Sequence, residues 1–136
     1  MRVTLLSALS VTFVLLSACA GDVTSPDRYK GTYDLETVNG LGLPFLKEAT
    51  SSGRIDVVSG SLSLGTDGTY HGEIVERRMS ATSTEFVSAF SNGTFSGVGD
   101  QLTFTESGSG AVYFGTVNGG RISATLVDVT FGFRKR

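Results

Sequence analysis

From Gly31 to the C-terminus, apolar and polar residues alternate in short runs, a period of two that predicts strands. Gly31 to Val38 places Tyr33 and Leu35 on one face and Thr32, Asp34 and Glu36 on the other, and Asn39-Gly40 predicts a turn. Leu43 to Lys47 reads as a short strand with Pro44 at an edge or entry point, followed by a loop over Thr50 to Gly53. Arg54 to Val58 sets Ile55 and Val57 on one side. Leu62 and Leu64 continue that side only if the parity changes across Ser59-Gly60, which predicts a bulge or turn. Asp67-Gly68 is the cleanest hairpin signal and joins Ser61–Leu64 to Thr69–Arg78.

Further turns are predicted at Ser80 to Thr84, Asn92-Gly93, Gly99-Asp100, Ser107 to Gly110 and Asn118-Gly119-Gly120, with a second parity change near Val127. The strands between them carry Phe86 and Phe90, then Leu102 and Phe104, then a run from Ala111 to Val117 that is apolar on both faces and therefore expected to be covered on both, and finally Val129, Phe131 and Phe133. About ten short strands result, and Leu43 to Ala49 is too brief and Pro-broken to compete as a helix. No sequence repeat of constant period argues for a propeller or solenoid. A meander this long curls, and closure into a barrel removes aggregation-prone edges. The expectation is an all-β, up-and-down antiparallel barrel of about eight to ten strands. Its inward set is Tyr33, Leu35, Ile55, Val57, Leu62, Leu64, Phe86, Phe90, Phe95, Leu102, Phe104, Phe131 and Phe133.

Ahead of this domain the pattern is different. Arg2 precedes an apolar run from Val3 to Leu16, and small residues follow at Ser17 and Ala18, the layout of a cleaved export signal. The run is shorter than the ~20 apolar residues of a spanning helix. Leu16-Ser17-Ala18-Cys19 resembles the bacterial lipoprotein box, and Cys19 is the only cysteine. The resemblance implies cleavage before Cys19 and a diacylglycerol on its thiol. Two or more acyl chains make a stable anchor, each buried CH₂ contributing about 0.8 kcal/mol. Ala20, in place of Asp, implies sorting to the outer membrane by the same resemblance. The expected organisation is a signal peptide over 1–18, a lipidated tether over 19–30 and the barrel over 31–136. With no second cysteine, the exported domain must be stable by packing alone. The formal net charge is −2, and the cationic clusters are limited to Arg77-Arg78 and Arg134-Lys135-Arg136, so no basic stripe points to nucleic acid.

Tyr29-Lys30-Gly31-Thr32-Tyr33-Asp34-Leu35 resembles the opening strand of lipocalin-like proteins, with Tyr33 where that pattern has Trp. The Phe131-Gly132-Phe133-Arg134 ending is compatible with it. The resemblance covers Tyr29 to the C-terminus. It implies an up-and-down barrel with a basic side chain near the last strand packed over the opening aromatic, a role that falls to Arg134. It implies no particular ligand.

No catalytic constellation is visible. His71, the only histidine, lies on the strand face opposite Tyr70 and Ile74 and is expected in solvent. There is no Gly-x-Ser-x-Gly elbow. Asp67-Gly68-Thr69 lacks the further acids of a calcium loop, and Gly108-x-Gly110 has no helix behind it to cradle a phosphate. Glu73 and Glu76, three apart in a strand, face opposite sides. No enzyme activity, metal or cofactor is therefore expected. Two function classes remain: a barrel that binds a small apolar ligand, or a structural lipoprotein with a packed core and a protein partner. Tyr33, Glu76, Phe104 and Tyr113 are the candidate ligand-binding residues, with Glu76 and Tyr113 as its polar groups. Interior volume separates the two classes, since a barrel of about eight strands either fills with side chains or holds one ligand.

Overall fold

The computed structural model describes residues 24–136. The leader, Cys19 and the first part of the tether lie outside the described residues. Ten strands follow the single-turn 3-10 helix Pro26–Arg28: β1 (Gly31–Val38), β2 (Leu41–Gly42), β3 (Phe45–Thr50), β4 (Gly53–Leu64), β5 (Thr69–Ser80), β6 (Thr84–Val98), β7 (Gln101–Glu106), β8 (Val112–Asn118), β9 (Arg121–Leu126) and β10 (Val129–Lys135). All pairings are antiparallel and nearly all join consecutive strands. The first strand closes the sheet. On one side Tyr33 to Val38 pairs with β10, and on the other Gly31 to Asp34 pairs with Ser61 to Leu64 of β4. The result is the expected closed, up-and-down barrel, made of eight strands, β1 and β4 to β10.

The two remaining strands are explained by the length of β4. Only its second half meets β1. Its first half pairs with β3, while the far end of β1 pairs with β2. The long strands β5 and β6 accompany β4 beyond the closed part, so β3 to β6 continue as a four-stranded extension. The predicted parity change near Ser59 is there, as a register shift against β5 between Val57 and Ser59. It keeps Val57, Leu62 and Leu64 all buried in the interior.

One predicted turn is absent, and its absence corrects the inward set. Asn92 and Gly93 lie inside the 15-residue strand β6, paired with His71 and Tyr70. Gly93 serves close approach: a Cβ there would collide with the Thr105 carbonyl and come within 2.8 Å of the Tyr70 ring. Because the strand runs on unbroken, Phe95 pointing inward forces Phe86 and Phe90 outward. They are 65% and 60% exposed. The run over β8 is corrected likewise. Gly115 faces the core, but Val112 and Phe114 on the opposite side stand in solvent.

One end of the barrel, carrying the β4–β5 and β6–β7 turns, is closed by residues expected to be spacer. Tyr29 is buried edge-on to Phe95, with ring centroids 6.3 Å apart, and seats over Gly97, where any side chain would overlap its ring. Its Oη donates to the Gly99 carbonyl (2.7 Å), and its own carbonyl accepts from Tyr33 Oη (2.6 Å). Thr24 adds a backbone bond to Gly97 and accepts from Gly99 N. The cation over Tyr33 is Lys135, 5.7 Å from the ring centre, in place of Arg134. Lys135 is the register partner of Tyr33, whereas its neighbour Arg134 points to the outer face and pairs with Glu36 at 3.2 Å.

Candidate functional site

The barrel interior has two halves. Towards the Tyr29 end it is packed with Tyr33, Leu64, Phe95, Leu102 and Ile122. Towards the other end, the inward positions shrink to Gly72 on β5, Ala89 and Ser91 on β6, and Ala124 on β9. Small side chains facing one another leave space, and a cavity of about 280 Å³ results. Leu62, Tyr70, Phe104 and Phe133 form the part next to the packed half. Ile74, Leu126 and Phe131 supply further apolar wall, with Tyr113 and Glu106 among the polar groups. The volume lies just below the range of ligand pockets, roughly 300–1,000 Å³.

The polar groups form one connected network. Glu106 ends β7, two residues beyond Phe104 and on the same inward face. Its carboxylate accepts from Ser109 Oγ (2.5 Å), Ser91 Oγ (3.2 Å) and Tyr113 Oη (3.2 Å). These hydrogen bonds, that from Ser109 foremost, hold the carboxyl below its usual range, so it is ionised at neutral pH. Ser91 Oγ also lies 2.9 Å from Tyr70 Oη. Since the Ser91 hydrogen is given to Glu106, Tyr70 is the donor of that pair. Burial raises the pKa of both phenols, so Tyr70 and Tyr113 stay neutral.

Of the residues singled out from sequence, Phe104 and Tyr113 line this cavity. Tyr33 does not; it lies deep in the packed half with its hydroxyl committed to Tyr29. Glu76 does not either. It shares the inward parity of Tyr70 and Ile74 but sits farther along β5, in the extension, buried between Lys47 and Arg78. Those two cations, Lys47 foremost, hold its carboxyl below the usual range. Glu106 and Ser91, which the sequence does not single out, belong to the site as well. Glu106 abuts the predicted Ser107 to Gly110 turn, and Ser91 abuts the predicted Asn92-Gly93 turn. Continued alternation would have reached both.

Other polar groups stand on the outer face. His71 is exposed there, stacked on Phe90 and hydrogen-bonded to Asn92. A second hollow, between the tips of β3, β4 and β5, is lined by charges of both signs, Glu48, Arg54, Arg78 and Glu85. Among the described residues no group of three or more His, Cys, Asp or Glu is placed to hold a metal ion. No family model, no curated protein and no solved structure matches this chain.

Proposed function

We propose that the protein is a lipid-anchored envelope lipoprotein whose barrel binds a small, largely apolar ligand. The carrying observation is the half-empty interior. Protein interiors normally fill to crystal-like density, yet four small inward residues on three strands keep this one open beside a packed half. The leader and the Leu16-Ser17-Ala18-Cys19 box support the anchor, with Cys19 as the acylated residue and the outer membrane as the destination. Lys135 over Tyr33 supports the lipocalin-like resemblance, since a basic side chain of the last strand covers the opening aromatic.

Calorimetric titration with lipophilic probes tests the binding. Saturable binding at micromolar probe is expected, and Ala89→Phe, which adds bulk to the cavity from a position exposed enough to spare the fold, is expected to abolish it. No binding by the unaltered chain overturns the proposal. A structural lipoprotein with a protein partner is the second reading. It is favoured by Phe86 and Phe90, exposed on the stretch of β6 that only β5 pairs.

A further inference from the structure

The hydrogen-bond inventory of the cavity restricts what enters it, granted that it binds a ligand at all. Every side-chain hydroxyl hydrogen of the network is already committed: Ser109, Ser91 and Tyr113 donate to Glu106, and Tyr70 donates to Ser91. Lone pairs on the two phenols and on the carboxylate are what remain of the network, and Ser61, the other hydroxyl of the lining, shares the outward strand face of its partners Asp34 and Glu73, so the polar wall that meets a ligand accepts and does not donate. Among the described residues no Lys, Arg or His lines the cavity. Glu73, the other acid in the lining, has its carboxylate turned to Ser88 Oγ at 2.7 Å, so Glu106 is the charge that a ligand meets.

A carboxylate ligand would therefore bring a second negative charge against Glu106 with no donor to receive it. A ligand with an ammonium head would satisfy the carboxylate and the phenol oxygens together, through charge-assisted hydrogen bonds. We propose that the cavity takes a small amine, its protonated nitrogen on Glu106 and its apolar body against Phe104, Phe131 and Phe133, and that it excludes fatty acids.

The test is a matched series in which only the head group changes. The full chain is titrated by calorimetry with n-octylamine, n-octanol and n-octanoate, below micelle-forming concentrations and against protein-free blanks. Octylamine is expected to bind at least about tenfold more tightly than octanol, the order of effect of a charge-assisted hydrogen bond, and octanoate more weakly than octanol. Glu106→Gln keeps the shape of the side chain and removes its charge. It should retain octanol binding and lose the amine advantage. The ranking on the unaltered chain decides the question even if that variant does not fold. Octanoate binding as tightly as octylamine, or an amine advantage that persists in Glu106→Gln, overturns the inference. Octanol binding without an amine advantage removes the inference and leaves the binding reading standing, whereas no binding by any of the three removes both.

Discussion

Val127 is 89% exposed in the two-residue turn between β9 and β10, with φ at +53°. A β-branched residue strongly resists that conformation. Asn tolerates it, as Asn39 does at +51° in the turn after β1. Val127→Asn is therefore expected to raise stability by about 1 kcal/mol, read from the denaturant midpoint. An unchanged or lowered midpoint would show that the turn relaxes without cost. Gly68 is the opposite case. Its φ is +78°, and the turn it completes is held by Asp67 Oδ1, which accepts from Thr69 N (3.0 Å) and Thr69 Oγ1 (2.7 Å). Gly68→Val should lower stability by on the order of 1 kcal/mol or more. Both turns announce themselves in the sequence, Asp67-Gly68 by composition and Val127 by the parity change around it. Gly93 does not, because a glycine that admits a neighbouring carbonyl looks the same in sequence as one that turns the chain.

At the scale of elements, β4 and β5 carry two ion clusters on opposite faces where they run beyond the barrel. On the outer face Asp56, 0% exposed, accepts from Arg54 Nη2 (2.7 Å) on its own strand and from Arg77 Nη2 (2.7 Å) across on β5. On the inner face Glu76 is held by Lys47 of β3 and by Arg78, two residues along its own strand. Arg77 and Arg78 look like one basic dipeptide in sequence, but strand alternation sends them to different acids. Hydrogen bonds from Arg77 and then Arg54 depress the pKa of Asp56, as Lys47 and then Arg78 depress that of Glu76. A depressed folded-state value means stability that is fully present above the unfolded values of 3.8 and 4.5 and is lost as pH falls through the lower folded values. Thermal melts should therefore hold level from neutral pH down to about 5 and fall steeply below 4. Asp56→Asn should flatten that acid limb while lowering the neutral plateau. A limb of the same steepness in the variant would place the acid sensitivity elsewhere.

For the molecule as a whole, one end of the barrel is plugged by the residues before β1. Tyr29 fills the barrel end, and Tyr29→Ala should cost about 3 kcal/mol, the range for emptying a buried aromatic site. A much smaller loss would mean that the end closes by other means. An all-β meander closing into a barrel was legible from the sequence, because period-two alternation and turn residues are local properties and closure is the general remedy for open edges. The bulge near Ser59 was legible too, since a parity change has few other causes. Of the polar wall of the cavity Tyr113 was legible, but Glu106 and Ser91 were not, nor was the outward turn of Phe86 and Phe90. Alternation states which residues share a face within one strand, but joining faces across Asn92-Gly93 requires knowing whether the chain turns there, and the packing of Thr105 and Tyr70 against Gly93 decides that. Tertiary structure likewise decided which basic residue covers Tyr33, because register selects Lys135 over Arg134. It also decided whether the barrel is full or hollow. That depends on Gly72, Ala89, Ser91 and Ala124 meeting across three strands, and small residues far apart in sequence declare a cavity only once the sheet has brought them together.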